Sequence, residues 1–256
     1  VYYGALWFAT RKETAAMNPM HQFTVKNWVP LTWWGLDFSF TNAALFMVLA
    51  SVLGALILWC LMKPQRLIPT TGQALVEALY RFIVATARDT IGEKYKSYIP
   101  FIFSVFVLIF MGNLLGLFPY GFTFTSQLAP VGAFALLGLV VSAGVGIYHQ
   151  KIKWFRTFLP SGIPLVLAPI VVPIELISFI AKPFSLTVRL VMNMVVGHIL
   201  LKILAGFVFT SGLAGVFPLA FVALMIVFEV GISFLQAYIY TILTSIYLGE
   251  ALNGHE

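Results

Sequence analysis

From Ser97 to Gln150 the chain reads SYIPFIFSVFVLIFMGNLLGLFPYGFTFTSQLAPVGAFALLGLVVSAGVGIYHQ, without one Asp, Glu, Lys or Arg. A membrane-spanning helix needs about 20 mainly apolar residues, so this stretch is too long for a single crossing. Phe118-Pro119-Tyr120-Gly121, followed by Ser126-Gln127, supplies turn chemistry near its middle. The stretch therefore predicts a helical hairpin over residues 98–149. Lys94 and Lys96 precede it, and Lys151, Lys153 and Arg156 follow it, so both ends return to one side. The excess of basic residues in short loops makes that side the cytoplasm or matrix.

The rest of the chain has the same character. Of 256 residues, 61% are hydrophobic and 9% charged, against about 45–50% and about 25% in an ordinary globular domain. A soluble chain of this composition would expose large apolar patches, and disordered chains are poor in apolar residues. The net charge of +6 arises from short basic runs between apolar stretches, the pattern of membrane loops and not of a nucleic-acid surface. Cys60, the single cysteine, excludes intrachain disulfides and cysteine metal clusters.

Residues 43–62 form a first crossing, with Trp33, Trp34 and Trp59 as interface anchors. Residues 65–96 mix Arg66, Glu77, Arg81, Arg88 and Asp89 with Leu75, Val76, Leu79, Phe82 and Ile83, which predicts an amphipathic helix on the membrane surface. Prolines at 160, 164, 169 and 173 delay the next regular helix. Two long apolar segments follow, residues 173–208 and 215–249, joined by Thr210-Ser211-Gly212. Each exceeds the hydrocarbon thickness of about 30 Å, so each must tilt strongly or kink, for example at Pro183. The expected fold is an all-α integral membrane protein of five membrane helices and one amphipathic surface helix, with its N-terminus outside and C-terminus inside. Residues 1–40 are an N-terminal extension and interfacial segment, and residues 41–256 a single membrane domain.

Ionisable groups inside these last two segments point to function. The first carries Glu175, Lys182, Arg189, Asn193, His198 and Lys202. A central Arg costs roughly 2.5–3.5 kcal/mol on insertion scales. Glu175 lies some 20 Å along the axis from Arg189, too far for a pair within the helix. The two lysines are explained by snorkelling to the interfaces; Arg189 needs a partner from elsewhere. In the final segment Glu229, Ser233, Gln236, Tyr240, Thr244 and Tyr247 recur at steps of three and four as one stripe. Antiparallel packing would bring His198 and Glu229 to similar depth, and a carboxylate beside an imidazole can exchange protons near neutral pH. A buried His–Glu hydrogen bond without transport is the plainer alternative. Asn113, a polar residue in the hairpin, suits a helix–helix hydrogen bond or a channel lining.

Other chemistries lack their residues. There is no glycine-rich phosphate loop, and His21, His149, His198 and His255 are too scattered for a metal cluster, so no metal or cofactor is expected. Ser/His/Asp catalysis fails because Asp37 and Asp89 sit in or beside interfacial segments. Two classes of function remain. One is a non-catalytic proton-conducting subunit working against a moving partner. The other is a secondary transporter with its own substrate site, which would favour internal repeats; none is visible.

Ser185-Leu-Thr-Val-Arg189-Leu-Val-Met-Asn193-Met-Val-Val-Gly-His198 resembles the signature of subunit a of F-type ATP synthases. Phe234-Leu-Gln236-Ala-Tyr-Ile-Tyr240, Thr241-Ile-Leu-Thr-Ser-Ile-Tyr-Leu248, Asn18-Pro-Met-His-Gln-Phe23 and Gly112-Asn113-Leu-Leu-Gly-Leu-Phe-Pro119 are similar to it as well. The resemblance implies that Arg189 faces a ring of c subunits and separates two half-channels. It implies that Asn193, His198, Glu229 and Gln236 belong to the proton inlet, and Glu175 to the outlet, with Asn113, Ser233 and Tyr240 as minor polar positions. It also implies a c-subunit ring, a peripheral stalk and other Fo subunits as partners, besides membrane lipid and without nucleic acid. A histidine in the earlier helix and an acid in the later one is the order of mitochondrial and α-proteobacterial members. A chain that begins with Val1, carries Arg11-Lys12 and precedes Met17 suggests a cleaved import sequence and the mitochondrial inner membrane, with an α-proteobacterial plasma membrane as the alternative.

Overall fold

The computed structural model of the chain describes residue 24, residues 27–29, 32–33, 36–37, 39–63, 69–118, 121–151, 154, 167–210 and 215–253. Residues 1–23, with the expected surface segment at the N-terminus, lie outside the described residues, as do Trp34, Lys153 and Arg156. Six α-helices dominate the described residues: α1 (Asn42–Met62), α2 (Thr71–Ile91), α3 (Ile99–Leu117), α4 (Leu128–Gln150), α5 (Ala168–Thr210) and α6 (Val216–Asn253). All but α2 are long and apolar enough to cross a bilayer, so the fold is the all-α membrane architecture expected from composition. Two antiparallel two-stranded pieces precede α1, with Asn27 opposite Thr41 and Thr32 opposite Asp37.

Helix limits follow from local chemistry. Thr41 caps α1 by accepting a hydrogen bond from the Ala44 amide, and Thr70 does the same for α2 with Gln73. The amphipathic region expected over 65–96 is α-helical over Thr71–Ile91 and then turns at Gly92, whose φ of 78° ends the helix. A short 3-10 turn, Glu93–Ser97, leads into α3. Val76, Ile83, Ala87 and Ile91 of α2 are buried on one face, while Arg81, Arg88 and Asp89 are exposed. Residues 65–68 are not among those described.

The prolines delay α5 less than expected. It begins at Ala168 and runs through Pro169, Pro173 and Pro183. Pro169 falls in the first turn, where the missing amide has no intrahelical role. Each interior proline frees one carbonyl four residues earlier, a loss that neighbouring helices can repair in a membrane protein. At 43 and 38 residues, α5 and α6 are about 64 and 57 Å long by helical rise, far more than a hydrocarbon layer of about 30 Å. Neither can stand upright in it.

Helix α6 is the hub, packing against α2, α3, α4 and α5, while α1 packs on α2 and α3. Ile102, Phe106, Ile109, Val131, Leu186, Leu190, Ala237 and Leu248 form the core between them. At the end where α2, α4 and α6 finish, expected to be the inner one, backbone groups that helix termini leave unmet are met by neighbours. Gln150 donates to the carbonyls of Glu250 and Ala251, Lys94 to that of Leu252, and Asn253 to that of Ile91. At the opposite end, expected to be the outer one, the α3–α4 connection folds into the bundle, and Phe122, Thr123, Phe124, Thr125 and Ser126 are all buried.

Candidate functional site

Two contacts fix how α5 lies against α6. A Cβ added at Gly197 would collide with the Glu229 carboxylate, so that carboxylate rests directly on the Gly197 backbone. One end further in, the Tyr247 hydroxyl donates to the Phe179 carbonyl at 3.1 Å and the two rings meet edge to face. Both contacts belong to the same antiparallel register. It sets Arg189 level with the fully buried Ala237, beside Gln236, and Glu175 level with Ala251. Along α5, Arg189 then stands about 13 Å from His198 and about 21 Å from Glu175.

Arg189 is exposed on the outer surface of α5. It lines an open cleft of about 510 Å³ with Ser178, Lys182, Ser185, Ile239 and Leu243. Phe184, Met192 and Val196 stand exposed around it. The ion pair Arg81–Glu77 lies on α2, away from this cleft. Neither Arg189 nor Glu175 has a hydrogen bond or ion pair within the described chain. The guanidinium is thus presented to whatever covers this face. Gln236 is 5% exposed and does not line the Arg189 cleft, and its Oε1 has no protein partner among the described residues. Asn193, one turn beyond Arg189, is half-buried.

Towards the outer end the polar groups turn inward. Glu229 is 7% exposed, and neither of its carboxylate oxygens has a hydrogen-bond partner among the described residues. Ser233 donates back to the Glu229 carbonyl at 2.7 Å, and Tyr240 to the Val131 carbonyl of α4 at 3.2 Å. His198 and Glu229 come to one level, yet no direct bond joins them. The imidazole Nε2 lies 3.1 Å from the hydroxyl of Thr123 in the α3–α4 connection. Asn113 is fully buried, and neither its amide atoms nor the buried Thr125 hydroxyl has a hydrogen-bond partner among the described residues.

Thr123 and Thr125 are the site residues that sequence reading missed. They lie between the turn signals Phe118-Pro119-Tyr120-Gly121 and Ser126-Gln127, and buried connections are uncommon because backbone groups need partners. Gly112 and Gly116, four apart on α3, were the available signal: Phe124 packs against the first and Thr123 against the second, where a Cβ would block each. Among the described residues no group of three or more His, Cys, Asp or Glu could hold a metal ion.

Residues 44–249 match the family described as ATP synthase A chain. The chain is 45% identical over 239 residues to the ATP synthase subunit a of Rhodospirillum rubrum, covering 93% of this chain and 99% of that one. It is 42% identical over 245 residues to the ATP synthase subunit a of Paramagnetospirillum magneticum, again 93% and 99%. The protein of the same description from Agrobacterium fabrum is 42% identical over 248 residues, with the same shares.

Proposed function

The chain belongs to the ATP synthase A chain family, and on that premise we propose that it is the proton-translocating stator subunit of the Fo motor, non-catalytic itself, whose Arg189 separates two half-channels against a ring of c subunits. The observation that carries this is the position of Arg189: exposed, unpaired among the described residues, and ringed by exposed apolar side chains on a face that no other described residue covers. A guanidinium stays charged at any pH the protein meets. In a bilayer it needs a counter-charge, and a ring carboxylate supplies one.

The chemistry follows from that pairing. A carboxylate can face lipid only when protonated, since a bare charge there is too costly. Arg189 holds the ionised form at the interface and, never releasing its own proton, blocks a direct leak. Protons arrive from the outer end, past His198 and Glu229 with Asn193 and Gln236 lining the way, and neutralise one ring carboxylate, which then rotates into lipid. The next carboxylate releases its proton inward past Glu175. Each charge crossing 100 mV supplies about 2.3 kcal/mol to drive rotation. The unpaired buried atoms of Asn113, Thr125 and Glu229 favour a wet inlet, because buried polar groups without protein partners are met by water.

Residues 41–256 act in this reading as one membrane domain, with residues 1–40 as an interfacial extension. The partners are the c-ring, a peripheral stalk and the other Fo subunits. The named relatives are bacterial, which favours an α-proteobacterial type of plasma membrane over the mitochondrial inner membrane. The test is Arg189→Ala in the assembled complex. ATP-driven proton pumping and proton-driven synthesis are both expected to vanish while the subunits still co-purify. Wild-type synthesis by the assembled variant would refute the role. Uptake of a solute by the chain reconstituted alone would instead support a secondary transporter.

A further inference from the structure

The buried α3–α4 connection places one hydroxyl where it can follow the charge of His198. Thr123 Oγ1 lies 3.1 Å from His198 Nε2 and 3.5 Å from the carbonyl of Gly116. The hydroxyl is 4% exposed as part of Thr123 and is held there because Gly116 leaves no side chain in its way. It has one hydrogen and two lone pairs. Against an imidazole nitrogen that carries no proton, the hydroxyl donates to the ring. Against a protonated nitrogen it accepts from the ring and turns its own hydrogen to the Gly116 carbonyl. Neither state leaves the hydroxyl hydrogen unmet.

We propose that Thr123 is a positioning residue of the proton inlet: its hydroxyl alternates between the Gly116 carbonyl and His198, holding the ring in one orientation beside Glu229 in both protonation states. The inference rests on the proposed function, since only a histidine that changes charge during turnover needs such a partner. A fixed donor or acceptor would favour one state of the ring and slow the other half of the cycle. The hydroxyl favours neither, and the approach of Glu229 through Gly197 keeps the carboxylate at the same level. The charged or titratable groups near His198 are Lys202, one turn on in α5, and Glu229 of α6. The described parts of α3, α4 and their connection bring no Asp, Glu, Lys or Arg, and His149 lies at the far inner end of α4.

The test uses the whole ATP synthase in inverted membrane vesicles, with ATP-driven acidification and proton-driven synthesis read across pH. Thr123→Val keeps the shape and removes the hydroxyl. It is expected to slow both activities about tenfold, the scale of one hydrogen bond lost along a reaction path, and to displace the pH profile. Thr123→Ser should restore both. In a His198→Ala background, Thr123→Val should cause no further loss. Should valine block assembly, Thr123→Ala against Thr123→Ser gives the same contrast. A Thr123→Val complex with wild-type rate and pH profile would overturn the inference, as would an undiminished additional loss in the His198→Ala background. His198→Ala and Glu229→Gln separate the two levels: if both pump normally, the proposed function itself fails; if both are defective while Thr123→Val is not, only this inference does.

Discussion

The Tyr247 hydroxyl donates, at 3.1 Å, to the carbonyl of Phe179, the backbone acceptor four residues before Pro183 that the proline ring cannot serve. The carbonyl that Pro183 frees in α5 is thereby met from α6, about three turns from Arg189. Tyr247→Phe should lower the thermal stability of the purified complex by about 1–3 kcal/mol, the penalty for a buried acceptor left unmet. Pro183→Ala restores the missing amide, so Tyr247→Phe should be far milder in that background. A double-mutant cycle on melting in detergent measures this coupling. Additive losses would show that the two residues do not share the carbonyl.

Gly197 is the point of closest approach between α5 and the Glu229 carboxylate. Gly197→Ala must push the carboxylate or the helix aside, and proton pumping should fall sharply while assembly persists. Gly206, on the same helix, has nothing within 4 Å of an added Cβ, and Gly206→Ala should pump as the wild type does. Equal behaviour of the two variants in an acidification assay would remove Gly197 from the inlet.

The docked connection depends on two glycines of α3. Gly116→Val would drive Thr123 out, and Gly112→Val would displace Phe124. Either should expose the connection to protease from the outer side and lower stability by about 1–3 kcal/mol, the usual range for overpacking. Gly144→Ala, which meets nothing within 4 Å, is the matched control, and cleavage of all three alike would contradict the packing.

What could be read from the sequence and what could not divide along physical lines. Five crossings follow from hydropathy alone, because lipid demands about 20 apolar residues per span. Arg189 stands out because a central charge has no cheap explanation in a bilayer. The His198–Glu229 level follows from antiparallel packing of adjacent helices. The partner of the imidazole does not, since Thr123 comes from a connection 75 residues earlier, and hydropathy carries no information on where a turn folds. The start of α5 at Ala168 lies before the expected Pro173 because Pro169 falls in the first helical turn, where a missing amide costs no intrahelical bond.

The face of α5 that carries Arg189 should be the one against the ring. Met192 is 58% exposed beside Arg189, whereas Val52, 54% exposed, lies on α1, which packs on α2 and α3 at the other side of the hub. With Cys60→Ser as background, Met192→Cys should form a disulfide under oxidation with a cysteine placed in the outer helix of the c subunit. Val52→Cys should not. Both positions are equally apolar and equally open in the isolated chain, so lipid exposure alone predicts equal yields. Cross-linking at Val52 and not at Met192 would put the ring on the wrong side of the subunit, and Arg189 could not then meet a ring carboxylate.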